Sequence, residues 1–273
     1  MALDGEAEAA DHGLFWRVLG QGPRKALALH CNLGHSGAFR GIAEALGDVL
    51  TLEAPDMPGH GRSVAYREEV PTGQWMLDAI LDQITEPVDV IGHSYGGLLG
   101  LRLALLRPDL VRSLSLYEPV TMLGAQAEAP EAVAENHAHM ERVIALYEAG
   151  DSEGAVRLFV EEWGDGRPWA ALPEATRAQF AGLMSFVVAS QLDVLHDVGD
   201  IMPRLGQIEV PVVVMDGALS PAIMKPACDY VAAQVQNGRR ATVAGAGHMG
   251  AITHAADVAV EVRRTVETNG LKI

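Results

Sequence analysis

Short apolar runs alternate with longer segments of helical periodicity along most of the chain. Each short run has the length of a buried strand and is followed by a loop containing Gly, Pro or an acidic residue. Strands that alternate with helices in this way predict a parallel sheet with helices on both faces. The predicted strands cover residues 15–19, 26–29, 50–54, 88–91, 111–117, 210–215 and 241–243.

The pattern changes after Val120, where apolar stripes at helical spacing occur without strand-length runs. We predict one helix over residues 132–149, a second capped by Ser152 and containing Trp163, and a third beginning at Pro173. The fold class is therefore α/β, with a mostly parallel, doubly wound sheet interrupted by a helical block. Residues 1–120 and 205–273 form the predicted core, and residues 121–204 form the predicted insert. Further helices are expected over residues 37–46, 72–84 with Thr72 as the cap, 98–106 and 255–268.

One motif lies at the join between a predicted strand and a predicted helix. It reads Gly92-His93-Ser94-Tyr95-Gly96 and matches the pattern G-x-S-x-G, which carries weight only in this strand–turn–helix context. Glycine is needed on both sides of the serine because a Cβ there would collide with the neighbouring backbone. The turn would expose the Ser94 hydroxyl at a helix N-terminus, where the helix dipole favours negative charge. Ser94 is therefore the predicted nucleophile.

Four blocks together resemble the α/β-hydrolase superfamily, and the resemblance covers nearly the whole chain. The blocks are His30-Cys31-Asn32, the run Asp56-Met57-Pro58-Gly59-His60-Gly61-Arg62-Ser63, the motif around Ser94, and Ala244-Gly245-Ala246-Gly247-His248-Met249. The resemblance implies an α/β-hydrolase fold in which the helical insert is a cap, or lid, over the active site. It also implies that His248 occupies the place of the family's catalytic histidine.

A serine hydroxyl needs an adjacent base, and the base needs an acid that orients it and stabilises its protonated form. His248 is the predicted base. Most members of the family carry the acid in the loop after the strand at 210–215, but here Leu219 and Ser220 fill the expected positions. Some relatives, including haloalkane dehalogenases, place the acid at the end of the preceding strand, which corresponds to Glu118.

We favour Glu118 because reactive groups in such sheets gather at the carboxyl ends of strands. Asp216 is the first alternative, and a cap residue such as Asp193 or Asp197, or a site without an acid, is the second. The developing oxyanion also needs fixed donors. The turn geometry makes the backbone N–H of Tyr95 one donor.

The resemblance makes Asn32 the second oxyanion donor. Because Cys31 stands where the family has glycine, Leu33 stays open as an alternative donor. No base can be assigned to Cys31, so we do not expect it to be a nucleophile. The chain has no HExxH motif, no Cys-x-x-Cys pair and no EF-hand loop, and we expect no metal and no cofactor.

Composition restricts the partners of the protein. The formal net charge of −16 disfavours nucleic acid and anionic membrane surfaces. No apolar run approaches the roughly 20 residues of a membrane span. The acidic start of the chain lacks the features of a secretory signal, and two cysteines do not suggest a disulfide framework. We expect a cytoplasmic protein with a small-molecule substrate, and the sequence leaves a homo-oligomer open.

The expected function is a cofactor-independent serine hydrolase. It would cleave a small ester, thioester or lactone through an acyl-enzyme on Ser94, with His248 and Glu118 completing a triad. One alternative is a Ser-His hydrolase of carbon–carbon bonds, or a lyase, on the same fold. Another is a non-catalytic, hydrolase-like binding protein. The sequence does not identify the substrate, because cap residues decide the size and polarity of the pocket.

Overall fold

A computed structural model describes residues 5–7 and 12–268, and one sheet runs through it. The eight strands of this described part follow the order β1-β2-β4-β3-β5-β6-β7-β8. β1 and β2 join as antiparallel strands, and all later neighbours are parallel. The strands are β1 (Gly5–Ala7), β2 (Trp16–Leu19), β3 (Arg24–Leu29), β4 (Leu50–Pro55), β5 (Val88–His93), β6 (Val111–Tyr117), β7 (Pro211–Gly217) and β8 (Asn237–Val243). Residues 1–4, which belong to the acidic start that lacks the features of a secretory signal, lie outside the described residues.

Eleven α-helices of four residues or more accompany the sheet in the described part of the chain. Those of the first segment are α1 (Arg40–Leu46), α2 (Thr72–Gln83) and α3 (Tyr95–Leu106). Those of the insert are α4 (Pro130–Glu148), α5 (Ser152–Trp163), α6 (Glu174–Gly182), α7 (Met184–Leu195) and α8 (Ile201–Arg204). The last segment holds α9 (Met224–Gln234), α10 (Gly250–Thr253) and α11 (Ala255–Thr268). Strands alternate with helices outside the insert, so the predicted α/β class is confirmed.

The sheet is covered on both faces because successive side chains of a strand point in opposite directions. In β3, Leu27 and Leu29 join the buried cluster that includes residues of α2 and α3. Ala26 and Ala28, from the same strand, join the cluster built with α1 and α11. A fully buried central sheet of this kind is rigid, and it holds the carboxyl ends of its strands at fixed positions.

The insert has an apolar core of its own. Its buried members come from four helical segments and do not belong to either sheet cluster: Met140, Val143, Ala155, Val156, Trp169, Leu172, Met184 and Val187. The described strands all lie within residues 5–117 and 211–243. The helical block therefore lies between β6 and β7 in sequence. Part of it packs on itself, and other residues of it, such as Trp163 and Phe186, join the buried cluster of the sheet.

Several predicted boundaries differ from the structure. β8 begins at Asn237, four residues before the predicted start at residue 241. Its polar residues Arg239 and Arg240 form ion pairs with Glu261 and Asp229, which stabilise charged side chains in this strand at the sheet edge. The predicted single helix after Pro173 is two helices separated at Leu183. Two predicted caps are wrong. The hydroxyl of Thr72 pairs with Tyr95 inside the protein, and Asp151, not Ser152, caps α5 by accepting from the Gly154 N–H.

In the described part of the chain, no single helix combines the length and apolar composition needed for a span. α6 and α7 meet that test only as a pair, which is bent by 51°.

Candidate active site

Ser94 lies between β5 and α3 in a backbone conformation that side chains rarely adopt. Its φ is 56° and its ψ is −118°. The flanking glycines allow this turn: a Cβ on Gly96 would lie 2.1 Å from the carbonyl oxygen of Leu29, and one on Gly92 would lie 2.6 Å from Cα of Gly97. The strand–turn–helix context predicted for the motif is therefore present. It places the serine at the carboxyl edge of the sheet.

Three of the predicted site residues lie in one hydrogen-bonded row. His248 Nε2 is 3.0 Å from Ser94 Oγ. His248 Nδ1 is 2.7 Å from Oε2 of Glu118. Because a carboxylate only accepts, Nδ1 carries the proton in this arrangement, and Nε2 is left as an acceptor for the serine hydroxyl. This is the geometry in which an imidazole can take a proton from serine.

Glu118 is fully buried directly after β6, and its own φ is 47°. Its second carboxylate oxygen accepts from the Gly217 N–H at 2.7 Å and from the Ser220 hydroxyl. Burial acts to raise the pKa of Glu118, but the hydrogen bond and charge of His248, with those two donors, outweigh burial and hold the pKa below its ordinary value. The carboxyl is therefore kept ionised beside the imidazole.

The other acids considered for the site have different partners. Asp216 pairs with Arg240 at 2.9 Å and accepts from Thr242 at 2.7 Å. Asp193 accepts from the Tyr95 hydroxyl at 2.5 Å, and Asp197 accepts from two backbone N–H groups at the start of α8. Glu118 is thus the acid that the structure brings to His248.

Three residues support this row although the sequence did not assign them a role there. The ring of His93 donates to the backbone oxygen of His248 at 2.8 Å, and the Tyr117 hydroxyl donates to the oxygen of Gly247 at 2.8 Å. Ser220, in the position where the family's acid was expected, holds Glu118 instead. These contacts join residues more than 100 positions apart, so they leave no local pattern in the sequence. The one available signal was that Ser220 stands where the family's acid was expected.

The loop after β3 carries the predicted second oxyanion donor. Asn32 lines the same pocket as Ser94 and His248. The N–H of Leu33 donates to Nε2 of His60 at 3.2 Å, so the alternative donor is already engaged. Tyr95 is the first residue of α3, and N–H groups at a helix start have no partner within the helix.

Two buried histidines brace this loop. His30 lies between the backbone oxygen of Cys31 at 2.7 Å and the N–H of Met57 at 2.9 Å. Burial lowers the pKa of His30 to about 3 and that of His60 to about 4, so both rings are neutral near pH 7. Burial also raises the pKa of Cys31 to about 12, which keeps its thiol protonated and unreactive, as expected.

Side chains of the insert line part of the pocket at the serine. A cavity of about 30 Å³ is lined by core residues and by residues of α4, α5 and α7, among them Met140, Phe159, Trp163 and Gln191. The Trp163 ring packs edge-on against His248, with ring centres 4.9 Å apart. The sequence predicted Trp163 only as a residue of a cap helix. Among the described residues, no group of three or more His, Cys, Asp or Glu side chains is arranged to hold a metal ion.

Known proteins resemble this chain in sequence and in fold. Lipase LipV of Mycobacterium tuberculosis is 38% identical over 104 residues, which are 37% of this chain and 40% of that protein. The chain thus matches less than half the length of that relative. A pimeloyl-[acyl-carrier protein] methyl ester esterase of Chromobacterium violaceum is 33% identical over 180 residues, 59% of this chain and 68% of that protein.

Solved structures match over almost the full length. The enol-lactonase from Burkholderia xenovorans LB400 superimposes with a TM-score of 0.70 at 18% identity, covering 96% of this chain and 99% of that one. At this identity the likeness concerns the fold alone. The family model described as "Alpha/beta hydrolase family" matches residues 26–262. With its fold, its serine turn and this match across most of its length, the chain belongs to the alpha/beta hydrolase family.

Proposed function

We propose that this protein is a serine esterase that cleaves a small ester through an acyl-enzyme on Ser94. The observation that carries the proposal is the row of hydrogen bonds from Ser94 through His248 to Glu118, at 3.0 Å and 2.7 Å. The named activities of the sequence relatives, a lipase and a methyl ester esterase, support ester cleavage.

The reaction follows from the protonation state of this row. The Ser94 oxygen attacks the ester carbonyl as its proton passes to Nε2 of His248, and the ionised Glu118 stabilises the resulting imidazolium. The imidazolium then protonates the leaving alcohol, which departs from the tetrahedral intermediate. A water molecule enters, gives its proton to Nε2 and attacks the acyl group, and Ser94 recovers its proton when the acid leaves.

Negative charge builds on the substrate's carbonyl oxygen in both steps. We assign its stabilisation to the backbone N–H of Tyr95 and that of Asn32. Loss of a single donor of this kind typically lowers the rate by about 10²–10³.

The alternative of a carbon–carbon bond hydrolase depended on the unusual position of the acid, and the relatives named as a lipase and a methyl ester esterase favour ester cleavage over it. The alternative of a non-catalytic binding protein depended on a missing carboxylate, and the carboxylate of Glu118 at His248 removes that reason. A fluorophosphonate probe tests the proposal together with p-nitrophenyl esters. Wild-type protein should hydrolyse short-chain esters and be labelled on Ser94.

The Ser94→Ala variant should lose both the labelling and the hydrolysis while keeping the melting temperature of the wild type within a few degrees. Ser113→Ala, which changes a buried serine of β6 far from His248, is the matched control and should still be labelled. Folded wild-type protein that is neither labelled nor active on any ester or acyl-homoserine lactone of the panel would contradict the proposal.

A further inference from the structure

A second cavity lies beside the one over Ser94. It has a volume of about 120 Å³, against about 30 Å³ for the cavity at the serine. We call it the side chamber, and its inner wall is formed by Leu33, Val160, Leu172, Phe180 and Met249. Every one of these side chains is apolar, so the chamber offers no hydrogen bond from them to a polar ligand.

The two cavities share part of their walls. Asn32, Phe159 and Trp163 line both of them. These three side chains therefore separate the pocket over Ser94 from the side chamber. The Trp163 ring also lies against His248. A molecule whose reacting carbonyl lies at Ser94 thus has the side chamber within reach past these side chains.

The mouth of the side chamber carries two opposite charges that cancel. Asp165 and Arg167 lie there, and Nε of Arg167 donates to the Asp165 carboxylate at 2.7 Å. Because this ion pair is already formed, the mouth presents no unmatched charge that would select an ionic group. Asn32 is the polar exception in the lining, and its Oδ1 has no hydrogen-bond partner. The apolar wall and the paired mouth favour a neutral, largely apolar occupant.

We infer that the side chamber binds the hydrocarbon chain of the substrate ester, and this inference rests on the proposed function. The volume limits the chain. A cavity of about 150 Å³ accepts one benzene molecule, so a chamber of this size suits a chain of about four to six carbon atoms. The chain belongs to the acyl half or to the alcohol half of the ester, and its chemistry is the same in both cases.

Val160 is the residue through which the inference can be tested. It lines the side chamber but not the cavity over Ser94, so it can be enlarged without touching the proposed catalytic residues. Val188 is the matched control, because it packs against the same cap core as Val160 and lines neither cavity. The variants are Val160→Phe, which fills the chamber, Val160→Ala, which enlarges it, and Val188→Phe.

Two substrate series separate the two halves of the ester: p-nitrophenyl esters from acetate to octanoate, and alkyl acetates from methyl to octyl. In one series, wild-type kcat/KM should peak at a chain of about four to six carbons. Val160→Phe should lower kcat/KM for those chains by about tenfold or more, while the shortest substrate changes less than about twofold. Val160→Ala should move the optimum to longer chains. The series that responds identifies the half of the ester that enters the chamber.

Several outcomes would overturn the inference. These are a wild-type profile that does not depend on chain length, an equal loss at every length in Val160→Phe, or the same shift in Val188→Phe. Val160→Ala keeps the test decisive if the larger side chain prevents folding, because an unchanged optimum in that variant also contradicts the inference. Failure of the proposed function is distinguishable, since wild-type protein would then hydrolyse no ester and Ser94 would not be labelled.

Discussion

Glu118, the proposed acid of the site, lies one strand earlier in the chain than the position at which most members of the family are expected to carry the acid. Its carboxylate reaches His248 from the end of β6 and is held on its other oxygen by Gly217 and Ser220, which belong to β7 and the loop after it. The neighbouring strand thus still contributes to the site, as hydrogen-bond donors and not as the acid. The histidine needs a buried, ionised carboxylate at its Nδ1. A carboxylate at the end of either of these two neighbouring strands could occupy that place.

This division of roles predicts opposite results for two similar substitutions. Glu118→Gln keeps the shape of the side chain but removes the charge that stabilises the imidazolium, and it should lower kcat/KM by about 10²–10⁴. The carboxylate of Asp216 is engaged by Arg240 and Thr242 and not by His248. Asp216→Asn should therefore change kcat/KM by less than about tenfold. Initial rates on a p-nitrophenyl ester measure both. An equal or larger loss of kcat/KM in Asp216→Asn would show that Glu118 is not the acid of the site.

The sequence predicted the residues of this row because each stands in a recognisable local context. Ser94 lies in a motif, His248 in a glycine-containing loop, and Glu118 at the end of a strand. Their supports could not be predicted in the same way. Tyr117 and Ser220 act through contacts across more than 100 residues of sequence, and nothing near either residue in the chain encodes the partner.

At the scale of elements, one contact joins the cap to the turn that carries Ser94. Asp193 of α7 accepts from the hydroxyl of Tyr95 at 2.5 Å and pairs with Arg102 of α3 at 3.2 Å. Gly73 at the start of α2 leaves room for this pair, since a Cβ there would lie 2.0 Å from the guanidinium of Arg102. Tyr95, the residue after Ser94, is therefore tied by its side chain to α7.

Removing one member of this buried pair should be costly. Asp193→Ala leaves the largely buried Arg102 without its counter-charge, and we expect a loss of about 3–5 kcal/mol in the free energy of unfolding. Asp109→Ala removes the partner of an exposed arginine, Arg107, and should cost far less, because solvent screens that pair. Urea unfolding followed by circular dichroism measures both. Similar losses in the two variants would show that the cap contact is energetically equivalent to a surface ion pair.

Periodicity predicted the elements better than it predicted their ends. α11 spans the predicted residues 255–268, because its apolar stripe has no competing signal. The separation of α6 from α7 at Leu183 was not predicted, because the apolar spacing continues across it. Gly182, the last residue of α6, was the available signal, since glycine is common at helix ends. The start of β8 was missed for the opposite reason: its first residues are polar, and their ion pairs become visible only in the folded chain.

At the scale of the whole molecule, three buried histidines link stability to pH. Burial lowers the pKa of His30 and of His93 to about 3, and that of His60 to about 4, from the ordinary 6.5. As the pH falls below about 6.5, the unfolded chain binds protons at these rings while the folded protein does not. Stability is therefore fully present above this pH and decreases until the folded-state pKa values are reached.

The free energy of unfolding should consequently fall between about pH 6.5 and pH 4. Each of the three rings contributes up to about 1.4 kcal/mol per pH unit to this slope. Together they contribute up to about 4 kcal/mol per pH unit. Urea unfolding at half-unit steps of pH measures the slope. His60→Gln should reduce the slope by about one third. A slope that is the same in this variant and in the wild type would contradict the assignment.

The row from Ser94 through His248 to Glu118 also has a consequence for how the protein reaches its native state. Ser94 and His248 are 154 positions apart, and Glu118 and His248 are 130 apart, with the whole cap between them. Closing loops of this length is entropically expensive and slows folding. A nascent or refolding chain can therefore form the serine turn, the first strands and even the cap while remaining inert. Ester turnover during refolding would report the last long-range step, and fluorescence or circular dichroism would recover before it.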